Sequence, residues 1–194
     1  MREPRSSRRR EKAPPKPLDA VRLNDLALHY VARFATSAAK LRAYLVRKLR
    51  ERGWEGETEP DLDGLVARFV ERGYVDDAVY GRAKASGLMA RGYGARRVDQ
   101  ALRAAGIDEP IRESLRPAEY EARAAIVSLA QRRRFGPFAG ARDARDREAA
   151  AKLRQKQLAA LMRAGHNFDA ARRVLDAATI EELEEWVTQG AGES

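Results

Sequence analysis

Arg91-Gly92-Tyr93-Gly94-Ala95-Arg96-Arg97-Val98-Asp99-Gln100-Ala101-Leu102-Arg103-Ala104-Ala105-Gly106 reads as a glycine turn, a short basic helix and a glycine stop. Val98, Ala101 and Leu102 step by three and four, which puts the apolar side chains on one helical face. Glycine at the end of such a stripe is the common left-handed terminator, because it has no Cβ to clash there. The closure Leu102-x-x-x-Gly106 recurs at Leu49/Gly53 and Leu161/Gly165, so the three copies stand 53 and 59 residues apart. Each is followed by a capping acid (Asp61, Asp108, Asp169) and a short helix. Many unrelated helices also end in glycine; the recurrence of the caps with the glycines favours a repeat. A unit of about three helices is too small to bury its own stripe, so neighbouring units must stack. The expectation is an all-α fold, an elongated array of three tandem three-helix repeats plus a short C-terminal helix. The repeats are placed at residues 18–75, 76–117 and 118–178, with an acidic helix and tail at 179–194 and a disordered basic tail at 1–17.

Working outward, helical spacing persists almost everywhere. Leu23, Leu26, Ala27, Tyr30, Val31 and Phe34 line a first helix. Thr36 and Ser37 offer a cap for a second, whose stripe is Leu41, Tyr44, Leu45 and Leu49. Leu62, Leu65, Val66, Phe69 and Val70 follow Pro60-Asp61 in a third, and Asp76-Asp77 opens a fourth with Val79, Tyr80, Ala83 and Leu88. Later stripes are Ile111 with Leu115, then Ala122, Ile126 and Leu129, then Leu158, Leu161 and Met162. A capping box, Thr179-Ile180-Glu181-Glu182, opens the last helix.

Among 194 residues there is no cysteine, which removes disulfides, thiolate nucleophiles and most zinc or iron–sulfur chemistry, and fits a reducing cytoplasmic setting. No stretch approaches the roughly 20 apolar residues of a membrane helix, so no membrane partner is expected. The net charge of +9 is uneven: residues 1–17 contribute +5, residues 176–194 contribute −6, and the body between them holds +10. A basic body favours a polyanionic partner, although a solvated, solubilising surface would look the same from charge alone.

No catalytic, cofactor or metal site is expected. His29 and His166 are far apart and lack the context of a ligand set. The Gly92-Tyr93-Gly94 turn completes neither phosphate-loop pattern and follows no strand. Asp76-Asp77 precedes an apolar stripe, the place of an N-cap and a helix-dipole partner rather than of a catalytic pair.

The basic helices are the stronger signal. Arg42, Arg47, Lys48 and Arg50 crowd the second helix; Arg91, Arg96, Arg97 and Arg103 the fifth; Arg132, Arg133, Arg134, Arg145, Arg147, Lys152, Arg154 and Lys156 the third unit. If the units stack in register these charges form a stripe suited to a phosphate backbone or a nucleoprotein filament. Arg47, Lys48, Arg50, Arg91, Arg96, Arg97, Arg103, Arg132, Arg133, Arg134, Lys152 and Lys156 are the candidate partner-binding residues. Tyr93 and Trp54 sit in loops beside them, where they either stack on bases or close the edge of the core.

Several elements together resemble the RecX family of recombinase regulators. They are Ala27-Leu28-His29-Tyr30-Val31-Ala32-Arg33 with Ser37 and Leu41, Gly73-Tyr74-Val75-Asp76-Asp77-Ala78-Val79-Tyr80, the Arg91–Gly106 stretch with Ile107, and Gly165-His166-Asn167-Phe168-Asp169 with Arg172-Arg173-Val174-Leu175. The resemblance spans roughly residues 23–178. It implies tandem three-helix repeats that bind along the groove of the RecA–DNA filament and restrain its growth, ATP turnover, strand exchange and coprotease action in DNA repair. It implies a non-catalytic monomer without cofactors, whose partner is the RecA recombinase filament, with direct contact to single-stranded DNA left open. The second reading, from the charge pattern, is a sequence-tolerant DNA- or RNA-binding helical protein with no recombinase partner.

Overall fold

A computed structural model of the chain describes residues 16–139 and 147–192. The expected disordered tail, except for Lys16 and Pro17, and Arg145 lie outside the described residues. The helices are α1 (Ala20–Arg33), α2 (Ala38–Arg52), α3 (Leu62–Glu71), α4 (Asp77–Ala90), α5 (Ala95–Arg103), α6 (Glu109–Ser114), α7 (Glu119–Arg133), α8 (Arg147–Arg163), α9 (Phe168–Asp176) and α10 (Ile180–Gln189), with a 3-10 turn at Gly136–Ala139. Among the described residues there is no strand, only an isolated bridge between Leu18 and Trp54.

Local chemistry starts most helices. Asp19, Ser37, Asp61, Asp76 and Thr179 each accept a hydrogen bond from a first-turn amide of the following helix, satisfying a donor that has no partner within the helix. Two expected caps differ. Asp108 makes no side-chain cap bond, and Pro110 in the first turn removes one of the amides that would need one. At α9 the cap is Asn167, whose amide oxygen accepts from Ala170 N at 2.7 Å; Asp169 sits inside the first turn, where the helix dipole favours its charge.

The buried side chains form three clusters in chain order. Leu23, Ala27, Leu41, Leu45, Leu65, Val66, Phe69 and Val75 pack around α1–α3, with Leu18 fully buried among them. Ala85, Leu88, Val98, Leu102, Ala105 and Ile107 pack around α4–α6. Ile126, Leu129, Ala130, Leu161, Ala171, Val174 and Leu183 pack around α7–α10, so the acidic last helix adds a fourth wall to the third core. Stripe residues at the outer edge of their helices stay exposed: none of the described residues covers Phe34, Val70, Val79 or Met162.

Units join through helix ends. The fully buried Ser37, cap of α2, donates from Oγ to Ala105 O at 2.5 Å, just past α5. Asp77, the first residue of α4, accepts from Ala38 N at 2.8 Å, a free donor at the start of α2. One joint further on, Gly94 N donates to Ala164 O at 2.9 Å and Arg96 N to Gly165 O at 3.3 Å, so the carbonyls ending α8 meet the amides starting α5. The C-terminus of α8 therefore abuts the N-terminus of α5, and the C-terminus of α5 abuts the N-terminus of α2. In both cases the partial charges of the two dipoles are opposite and attract.

The Leu-x-x-x-Gly closures are the parts that fit these joints. Gly106 has φ +72 and Gly165 φ +98, and a Cβ on either would strike the adjoining unit: Ala39 Cβ at the first, Arg97 N, 2.5 Å away, at the second. The third closure, at Gly53, faces no unit. There Leu18 N donates to Gly53 O at 3.0 Å and Glu55 N to Leu18 O at 2.8 Å, so extended chain closes the end.

Candidate polyanion-facing surface

End-to-end contact of α8, α5 and α2 brings part of the expected basic stripe together. On α5, Arg97, Gln100, Ala101 and Ala104 share one face, and with Lys40 and Lys84 they line a groove of about 330 Å³ at the joint of the first two units. Lys40 begins a face of α2 that continues through Tyr44 to Arg47 and Lys48, whose cations lie 5.5 and 5.8 Å from the Tyr44 ring centroid. Tyr44 is itself held by stacking on Tyr30, with centroids 4.1 Å apart. Arg47 and Lys48 both pair with Glu51, at 3.6 and 2.5 Å, which lowers that carboxyl below its ordinary range through the Lys48 hydrogen bond.

Arg96 and Arg103 lie elsewhere on α5. Arg96 lines a cleft with Asp99, Arg112, Leu115 and Arg116, about a quarter-turn from Arg97. Arg103 donates to Asp99 at 2.8 Å, and the well-buried Arg112 donates to the same carboxylate at 2.6 Å. Burial opposes ionisation of Asp99, but the hydrogen bonds from Arg112 and Arg103 hold its carboxyl below the ordinary range. Arg103 is thus tied into an intramolecular network.

A second basic group sits at the joint of units two and three. Arg91 lies 5.9 Å from the Tyr93 ring centroid, and the Arg132 guanidinium lies over Gly92. Arg133 and Arg134 end α7, with Arg134 in the left-handed conformation at φ 55. On α8 every residue from 147 to 156 is exposed. There Lys152 pairs with Glu148 at 2.6 Å, Lys156 faces solvent and Arg154 pairs with Asp176. Arg50 is exposed near the end of α2.

Tyr93 and Trp54 close core edges: Tyr93 packs against the second and third clusters, and Trp54 against the first with its indole N–H donated to Thr58 O at 2.6 Å. His29 is exposed on α1, with Nδ1 2.7 Å from Asp25 O. His166 is 4% exposed, its Nε2 2.9 Å from Gly92 O; burial pushes its pKa below the usual histidine range, so the neutral ring donates Nε2–H to that carbonyl. Asp77 is shifted the other way, its carboxyl raised by burial against the first unit. Among the described residues no group of three or more His, Cys, Asp or Glu is placed to hold a metal ion, and no helix is long and apolar enough to cross a membrane. Sequence alone does not single out Lys40 or Lys84, and gives Tyr80 only as part of the α4 stripe. The spacing Tyr80/Lys84 is a local hint, but Lys40 reaches the same ring only because two units meet.

The architecture and the sequence have known counterparts. Residues 76–114, the span of α4–α6, match the family described as RecX, second three-helix domain. The Regulatory protein RecX of Myxococcus xanthus (strain DK1622) is 31% identical over 179 residues, covering 87% of this chain and 93% of its own length. The crystal structure of RecX from Lactobacillus salivarius superposes with a TM-score of 0.60 at 16% identity, covering 85% of this chain and 96% of that one. A second crystal structure of regulatory protein RecX gives 0.56 at 16% identity over 81% of this chain and 71% of its own. Identity above 30% across nearly the whole of both chains, carried on the same three-helix units, places this chain in the RecX family of regulatory proteins.

Proposed function

We propose that the chain is a non-catalytic regulator that docks along the RecA recombinase–DNA filament and restrains it, using the basic face of its end-joined helices. The observation that carries this reading is the continuous face running from Arg97 on α5 across the joint to Lys40, Arg47 and Lys48 on α2. A filament presents acidic and phosphate groups at regular intervals, and cations held at fixed spacing on abutting helices meet such a lattice better than cations without fixed spacing do.

The test is a titration of recombinase-catalysed ATP hydrolysis on single-stranded DNA. Reversal of Arg47, Lys48 and Arg97 to Glu is expected to leave helicity unchanged and to raise the half-inhibitory concentration by at least tenfold, since it installs like-charge contacts in a docked surface. Deletion of residues 1–17 should weaken the effect modestly and mainly at low salt. A deletion that abolishes the effect while the triple reversal does nothing would assign the activity to diffuse attraction by the arm.

A further inference from the structure

We propose that the groove between α2, α4 and α5 is a seat for the phosphodiester backbone of a nucleic-acid strand, gripped by Lys40, Lys84 and Arg97. This deepens the docking reading above by giving DNA a direct contact, and it is tested without recombinase so that the two readings fail separately.

The groove collects positive charge that no described carboxylate neutralises. Lys40, from the first unit, and Lys84, from the second, hold their ammonium groups 5.3 and 5.9 Å from the centroid of one ring, Tyr80. Both lysines are half-buried, their stems packed along the groove. Arg97, on the facing wall, donates from its guanidinium to the neutral Gln100 Oε1 at 2.9 Å. Among the described residues no carboxylate pairs with any of the three. Elsewhere the chain arranges carboxylates for its cations: Asp63 for Arg42, Glu51 for Arg47 and Lys48, Asp99 for Arg103 and Arg112, Asp176 for Arg154 and Arg172. Three like charges around one groove repel, and the repulsion is relieved when a polyanion enters.

The chemistry of the groove favours phosphate over carboxylate. Lysine is a compact point charge that serves a phosphate oxygen from many directions, and the guanidinium fork of Arg97 matches two oxygens of one phosphate, so the three together suit a run of phosphates. Among the described residues the carboxylate pairs between helices are made by arginine: Arg42 with Asp63, Arg112 with Asp99, Arg154 with Asp176 and Arg173 with Glu182. The remaining groove lining is Ala101, Ala104 and Ala105, small enough to let a strand's backbone approach the helix.

The experiment measures affinity for fluorescein-labelled oligo-dT and for a duplex of equal length by anisotropy between 50 and 300 mM NaCl. Each lost phosphate contact lowers the slope of log K against log salt by roughly 0.7 on single strands and 0.9 on duplex. Lys40→Gln with Lys84→Gln should therefore lower the single-strand slope by about 1.4, and Arg97→Gln alone by about 0.7, all with unchanged helicity. The form of DNA with the larger change, after division by its own slope per contact, is the one seated. The control pair, Arg68→Gln with Arg72→Gln, removes exposed charge from α3 and should leave the slope nearly as it was. A slope unchanged in the groove variants, or lowered equally in the α3 pair, would overturn the seat in favour of diffuse attraction. Equal loss of affinity for polyglutamate in the groove variants would reassign the groove to an acidic protein surface.

Discussion

A methyl group on Gly106 would meet two obstacles and one on Gly53 only one. Both positions have positive φ, +72 and +80, but a Cβ at Gly106 would also overlap Ala39 of the first unit, while nothing lies within 4 Å of the same atom at Gly53. Backbone strain alone predicts about 1 kcal/mol of destabilisation for Gly53→Ala, and strain plus displaced packing about 2–3 kcal/mol for Gly106→Ala. Urea unfolding of the two variants checks the difference; equal losses would show that the joint gives way at no cost. Two titratable groups at the joints, the buried His166 and the half-buried Asp77, act in opposite directions. His166 has its folded pKa lowered by burial, so its stabilising contribution is present above the ordinary 6.5 and lost as pH falls through the folded value. Asp77 has its folded pKa raised by burial, so its contribution is present below the ordinary carboxylate value and lost as pH rises through the folded one. Melting temperatures should accordingly fall between pH 7 and 5 by less in His166→Gln, whose amide keeps a donor toward Gly92 O. The decline that native protein shows as pH rises through the acid range should be smaller in Asp77→Asn. Profiles parallel to native would remove either residue from the joint energetics.

At the scale of the helix, the third unit differs from the others by having α10. Leu183 is fully buried there among Ile126, Leu129 and Leu161, and Trp186 packs on the same core, while Arg123 of α7 donates to Trp186 O at 2.9 Å. Leu183→Ala is expected to cost about 2–5 kcal/mol and to raise amide exchange in α7 and α9 more than in α1–α3. Helices of this kind were legible from sequence because their signals are local. The three-four stripes, the Ser37, Asp61, Asp76 and Thr179 caps and the glycine stops all lie within a few residues of what they control. The exposed Phe34, Val70 and Val79 show the limit of that signal: spacing assigns a side chain to a face, and only the neighbouring helix decides whether the face is covered. Replacing Asp169 with Asn167 as the cap of α9 is a shift of two residues between equally suitable oxygens.

Across the whole molecule, what could not be read was the meeting of distant residues. Ser37 finds Ala105 across 68 positions, His166 finds Gly92 across 74, and Lys40 and Lys84 converge on Tyr80 from different units. Each contact is fixed by how helix ends abut, and that geometry leaves no periodic trace. The same abutment sorts the expected basic residues, which composition had pooled. Arg97 joins Lys40, Arg47 and Lys48 on one face, Arg96 turns into another cleft, and Arg103 is occupied by Asp99.

Two of the three glycine closures receive a helix N-terminus from the preceding unit, whereas the one at Gly53 is paired with Leu18. In polymer terms Leu18 is an end-group: a subunit adding at that face must first strip away a fully buried leucine and its two backbone hydrogen bonds. A blocked face is expected to keep one molecule from extending another in the way its own units extend each other, the open-ended growth to which head-to-tail contacts are prone. Leu18→Asp should therefore lower the melting temperature and give a concentration-dependent rise in sedimentation coefficient. A variant that loses stability while remaining monomeric at all concentrations would make Leu18 a core residue without that terminating role.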